Sequence, residues 1–156
     1  MNRLRPVTLL YLPETNYLVG TFDTTLQSGW WISDGFTGVS VVRKGMQIYG
    51  SIHIALCKKT DGKWAIFRSE DYAQTWTEVF TATTQVLYDM TLIIYGRVIV
   101  NASDGFYETV DSGLTWAKVS AAPMGTGAAA VCNAGNGDTL FATDGYRIWR
   151  SYDYAR

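Results

Sequence analysis

The sequence predicts an all-β fold assembled from about four repeats, each of four antiparallel strands, with the last repeat incomplete. Three observations carry that prediction. Ser69-Glu70-Asp71-Tyr72-Ala73-Gln74-Thr75-Trp76 and Thr109-Val110-Asp111-Ser112-Gly113-Leu114-Thr115-Trp116 share one pattern, and their aspartates lie 40 residues apart. Ser151-Tyr152-Asp153-Tyr154-Ala155-Arg156 opens a third copy 42 residues further on. Upstream of each acidic box stands a hydroxyl-Asp-Gly turn: Thr60-Asp61-Gly62, Ser103-Asp104-Gly105 and Thr143-Asp144-Gly145. A recurrence of this length marks a supersecondary unit that buries its apolar face by stacking on its neighbours.

The elements follow in chain order. Pro6 to Leu12 and Tyr17 to Phe22 are strand-like, and Gly29 to Gly38 forms a degenerate first copy in which Asp34 precedes Asp71 by 37 residues. Ser33-Asp34-Gly35 reads there either as a shortened acidic box or as an Asp-Gly hairpin. Strands at Ser51–Leu56, Arg97–Asn101 and Thr139–Ala142 enter the Asp-Gly turns. We expect type I′ geometry at those turns, because Asp-Gly tolerates positive φ at both central positions. Short aromatic strands leave them, at Trp64–Phe67, Phe106–Tyr107 and Tyr146–Trp149. The box then turns the chain into Trp76–Phe80 or Trp116–Val119, and Met90–Tyr95 or Ala128–Cys132 supplies a further strand. Four antiparallel strands per unit make one blade of a β-propeller. The expected repeats are about 6–44, 45–82, 83–121 and 122–156, forming a single domain over 1–156.

Composition narrows the function classes. Charged residues are 17% of the chain against about 25% in an average soluble domain, so a sheet-rich aromatic fold is favoured over disorder. The net charge is −1 and the basic residues are scattered, which leaves no stripe for a phosphate backbone and argues against nucleic-acid binding. Cys57 and Cys132 lie in apolar runs and are expected as buried thiols, with a disulfide between them left open. With one histidine, His53, they have the wrong spacing for zinc, and no metal or cofactor is expected. The apolar run after Arg3 and Arg5 is short and bracketed by Pro6 and Pro13. It is therefore not expected to act as an export signal, and no stretch is long enough to span a bilayer.

The acidic motif resembles the Asp-box, or bacterial neuraminidase repeat, of sialidases, sortilin-type receptors and photosynthesis-assembly factors. The resemblance rests on Ser69, Asp71, Thr75 and Trp76, then on Thr109, Asp111, Gly113, Thr115 and Trp116, and in part on Ser151 and Asp153. Ala73 and Ala155 replace the glycine of the pattern. The resemblance implies that the boxes are structural: the aspartate accepts backbone N–H bonds within its own turn, and the tryptophan covers the hairpin base. It also implies that the boxes lie at the outer edge of the propeller, away from its ligand-binding face.

A sialidase needs an arginine triad, a Tyr/Glu nucleophile pair and an acid/base aspartate. The family's N-terminal Phe/Tyr-Arg-Ile-Pro motif is missing here, Arg3-Leu4-Arg5-Pro6 has the wrong spacing, and four repeats fall short of six blades. A Ser-His-Asp triad would depend on His53, which sits in an alternating strand. We therefore expect no catalytic residues. The expected function is a non-catalytic binding or assembly module for protein or glycan, as a homo-oligomer or a subunit of a larger assembly. Its candidate contact aromatics are Trp30, Trp31, Tyr72, Tyr152 and Tyr154. Asp-box propellers are mostly extracellular, and a chain without an export signal reconciles with that as a bacteriophage virion component; virion or cytoplasm is the expected location. The alternative is a piece of a sialidase-like glycoside hydrolase.

Overall fold

The computed structural model describes residues 10–11, 18–20, 31–32, 36–121, 130–133, 139–143 and 146–152. Among them every regular element is a strand. β1 (Leu10–Tyr11), β2 (Leu18–Gly20) and β3 (Trp31–Ile32) form a first sheet. β4 (Val39–Tyr49), β5 (Ile52–Lys59), β6 (Trp64–Ser69) and β7 (Thr77–Thr81) form a second. The third comprises β8 (Leu87–Ile94), β9 (Arg97–Ala102), β10 (Gly105–Thr109) and β11 (Ala117–Ala121). The fourth comprises β12 (Ala130–Asn133), β13 (Leu140–Thr143) and β14 (Ile148–Ser151). Each sheet is an antiparallel meander in sequence order, which is the blade arrangement expected from the repeats, with an incomplete last blade.

The second, third and fourth sheets stack face on face, and strands such as β5 and β6 are buried on both sides and read as continuous apolar runs. In this stack the trailing face of the second sheet meets the leading face of the third, and the trailing face of the third meets the leading face of the fourth. Ile54, Leu56, Trp64 and Ile66 on the trailing face of the second sheet share a core with Leu87, Met90, Val98 and Val100 on the leading face of the third. Ile99 and Phe106, trailing on the third, pack with Val131, Leu140 and Ala142, leading on the fourth. The leading face of the second sheet carries small residues, Ala55, Cys57 and Ala65 beside Phe67, while its trailing face carries the bulkier Ile54, Leu56, Trp64 and Ile66.

β4, β8 and β12, the first strands of the second, third and fourth sheets, lie side by side. The Arg43 guanidinium donates to Leu87 O at 2.9 Å and the Lys44 ammonium to Asp89 Oδ1 at 2.7 Å. Asp89 Oδ2 accepts from the Val131 amide at 2.9 Å, and the Asn133 amide group donates to Ile93 O at 2.8 Å. Asp89 on β8 therefore ties β4 to β12 through one carboxylate.

Three expectations are corrected. The 44/45 repeat boundary falls inside β4, whose pairing with β5 shifts register three times, so bulges hide its alternation. The two described Asp-Gly turns are not type I′, because neither Asp61 nor Asp104 has positive φ. At the first, Gly62 N donates to Lys59 O at 3.0 Å and Lys59 N to Lys63 O at 2.8 Å, with Gly62 at φ +86. That is a three-residue loop closed by a glycine bulge. Lastly, Cys57 is buried but Cys132 is exposed, and both are free thiols. Asp144 and Gly145 lie outside the described residues.

Candidate functional site

The two complete boxes share one construction. Asp71 Oδ1 accepts from the Thr75 amide at 2.8 Å, the Gln74 amide at 3.1 Å and the Ser69 hydroxyl at 2.7 Å. Its Oδ2 takes the Thr75 hydroxyl at 2.6 Å, while Ser69 Oγ accepts from the Ala73 amide at 2.9 Å. In the second box Asp111 accepts from the Thr115 amide at 2.9 Å, the Thr115 hydroxyl at 2.5 Å and the Thr109 hydroxyl at 2.7 Å. Thr109 Oγ1 accepts from the Gly113 amide at 2.9 Å.

Burial alone would raise both carboxyls, but the bonds from Thr75 and Ser69, or Thr115 and Thr109, outweigh it and hold each at about 2. Such carboxylates stay ionised and fully bonded, a poor state for proton transfer near neutrality.

Each box also contains the type I′ turn that the Asp-Gly pairs lack. Tyr72 and Ala73 have φ of +60 and +66, and Ser112 and Gly113 have +61 and +87. A Cβ on Gly113 would stand 3.0 Å from Ile54 Cγ2 and 3.4 Å from Arg68 Cδ. Glycine is required there twice over, by φ and by the approach of the neighbouring sheet. Arg68 Nε donates to Ser112 O at 2.7 Å, which fastens the trailing face of the second sheet to the box of the third. Trp116 Nε1 donates to Gly113 O at 3.2 Å, and Trp76 stacks on Phe36 with centroids 4.6 Å apart. Both tryptophans are half-buried.

The boxes are docked on the hairpin tips beside them. Tyr72 N donates to Ser51 O at 3.1 Å, and Ser112 N donates to Gly96 O at 2.8 Å. Those tips carry the triplet Ile48-Tyr49-Gly50 and its repeat Ile94-Tyr95-Gly96. Tyr49, Tyr72, Ile94, Tyr95, Val110 and Leu114 are all exposed there, Tyr95 at 86%. The result is an apolar row across one end of two successive sheets, set on turns stiffened by the boxes. Sequence reasoning singled out Tyr72 but missed Tyr49 and Tyr95, although the repeated triplet was a readable signal. Tyr152 is exposed at the end of β14, under the Arg150 guanidinium at 4.4 Å. Trp31 lies in β3 and Ser151 in β14, whereas Trp30, Asp153 and Tyr154 lie outside the described residues.

Four of the described arginines have the following contacts. Arg43 lies over the Trp64 ring, Arg68 binds Ser112 O and pairs with Glu70, Arg97 pairs with Glu108, and Arg147 lies over Trp149. Asp104 is held by Lys118, Tyr107 and Gln85. Among the described residues no group of three His, Cys, Asp or Glu side chains is placed to hold a metal.

Stacked four-stranded meanders and two Asp-boxes define a β-propeller fold of the Asp-box, or bacterial neuraminidase repeat, type. Two solved structures share it. YCF48 bound to D1 peptide matches over 72% of this chain and 42% of its own, at 13% identity and a TM-score of 0.50. The K499G mutant of NanB sialidase from Streptococcus pneumoniae matches over 81% of this chain and 23% of its own, at 19% identity and a TM-score of 0.52. This chain thus spans less than half of either, and at such identities the likeness is one of fold. No family model matches the sequence, and no curated protein matches it.

Proposed function

We propose that this chain is a non-catalytic Asp-box β-propeller module that binds a protein or a glycan within a larger assembly, with the tyrosine-bearing tips as its contact surface. The observation that carries the reading is the exposed row of Tyr49, Tyr72, Ile94, Tyr95, Val110 and Leu114. Tyrosines on short, braced turns offer large contact area at low entropic cost, and a phenol ring serves a peptide or a sugar equally well. Binding of a peptide by YCF48 supports protein recognition as within reach of this fold. The commitment of Asp71, Asp111 and Asp104 to internal bonds, of Arg68 to Ser112 O and of Arg97 to Glu108 supports a module without glycosidase machinery.

Peptide and glycan arrays probed with the whole chain test this. Tyr95→Ala and Tyr49→Ala should each weaken the strongest signal by about tenfold, as expected for exposed aromatic anchors. Turnover of a fluorogenic sialoside, abolished by an arginine substitution, would instead establish a glycosidase. The virion setting belongs to the same proposal, and mass spectrometry of purified phage particles is its test.

A further inference from the structure

The row of exposed tips has a charge of its own, set by the residues that the boxes bring to that end of the second and third sheets. Four carboxylates stand there: Glu70 and Asp71 in the first box, Asp111 in the second, and Glu108 near the end of β10. Among the described residues of these two sheets, the Lys and Arg side chains at that end are Arg68 and Arg97, and both are drawn inward. Arg68 is buried and pairs with Glu70, and Arg97 is mostly buried and pairs with Glu108. The five lysines of the chain lie elsewhere. Lys44 pairs with Asp89, Lys58, Lys59 and Lys63 flank the Asp61-Gly62 turn at the opposite end, and Lys118 reaches Asp104. Asp71 and Asp111 stay ionised near neutrality because their turns hold both carboxyls at about 2. The Glu70 side chain is 70% exposed, two residues from Tyr72, and Arg68 bridges it to Ser112 O of the next box.

The polar groups at this end are occupied within the turns. Ser69, Thr75, Thr109 and Thr115 bond inside their boxes, and the Gln47 amide donates to Gly50 O. A sugar, held by directed polar groups as much as by stacking, finds rings here but few free partners, and an acidic sugar is repelled. A lysine or arginine side chain wants what this end does offer: apolar surface for its stem, a tyrosine face for its head and a carboxylate beside it.

We propose that the row of Tyr49, Tyr72, Ile94, Tyr95, Val110 and Leu114 docks a protein segment that carries lysine or arginine among apolar residues, its cationic heads over the tyrosines and against Glu70. The inference rests on the proposed function and deepens it, choosing a basic protein partner over a glycan.

A random-sequence peptide array and a glycan array, each probed with the whole chain, test it. Peptides retained by the wild type should be enriched in Lys and Arg and depleted in Asp and Glu. The strongest of them, measured in solution by fluorescence anisotropy, should bind about threefold more weakly to Tyr95→Leu, which keeps apolar area but loses the ring face. Glu70→Gln should weaken binding by a similar factor of about three. Affinity for the wild type should fall as sodium chloride is raised, a readout that stands even if a substitution disturbs the fold. Tip-dependent retention of neutral or acidic peptides, or of glycans, overturns the inference and leaves the proposed function standing. Basic binders indifferent to both salt and Glu70→Gln overturn it as well. Silence on both arrays, or retention unaffected by Tyr95→Ala and Tyr49→Ala, overturns both readings.

Discussion

Ala73 occupies a left-handed backbone position, φ +66, that Gly113 fills in the second box. An L-residue there costs about 1–2 kcal/mol, and glycine gives back part of that through a looser unfolded chain. Ala73→Gly should therefore raise stability by about 0.5–1 kcal/mol, read as a higher Tm. The reverse change, Gly113→Ala, adds strain to a Cβ held 3.0 Å from Ile54 Cγ2 and should cost about 2–4 kcal/mol. Asn101 offers a third case. It is buried with neither side-chain nitrogen nor oxygen bonded, and Leu56 takes the corresponding place in the second sheet. Asn101→Leu should stabilise by about 1–3 kcal/mol, the cost of an unsatisfied buried amide, in urea denaturation. The boxes were legible in the sequence because their chemistry is local: a hydroxyl, a carboxylate and a threonine within seven residues of chain satisfy one turn. Asn101 was not legible, since nothing in Val98-Ile99-Val100-Asn101 shows which sheet will lie over it.

At the scale of the box, acid should loosen the fold. The Asp71 and Asp111 carboxyls fall from an ordinary 3.8 to about 2 on folding. A depressed folded value means that the stabilisation is complete above the unfolded value and is lost as pH falls from about 4 to 2. After allowance for the exposure of these turns, the loss is about 1 kcal/mol per box. Urea midpoints measured from pH 7 down to 2 should drop across that window, and Asp71→Asn with Asp111→Asn should flatten the drop. Hairpin position was readable from Asp-Gly, whereas hairpin type was not. Type I′ geometry moved to Tyr72-Ala73 and Ser112-Gly113 because the box side chains bond the backbone there, an outcome that residue preference alone does not foretell. β4 was missed as the opening strand of its sheet for a related reason: its bulges break the period of two that marks a strand.

Across the whole molecule, joints between sheets matter more than any one sheet. Asp89 bonds β4 through Lys44 and β12 through the Val131 amide. Asp89→Ala orphans both partners and should cost about 2–3 kcal/mol, while Lys44→Ala, at a partly exposed end, should cost about 1 kcal/mol or less. Thermal unfolding of the two variants side by side checks the order, and equal losses would deny Asp89 its bridging role. The repeat count and the blade architecture could be read from the 40-residue period. The inter-sheet geometry could not, because leading and trailing positions alternate within each strand and look alike until a neighbour arrives.

That directionality has a consequence for synthesis. The face that receives β8–β11 is complete once β7 has been made, and the face that receives β12–β14 once β11 has been made. A ribosome delivering this chain therefore presents, at each stage, a finished template for the segment about to emerge, and folding can proceed in step with translation. The same order makes a stalled chain vulnerable, since whichever template is then uppermost is a sticky apolar surface open to capture by a nearby nascent chain.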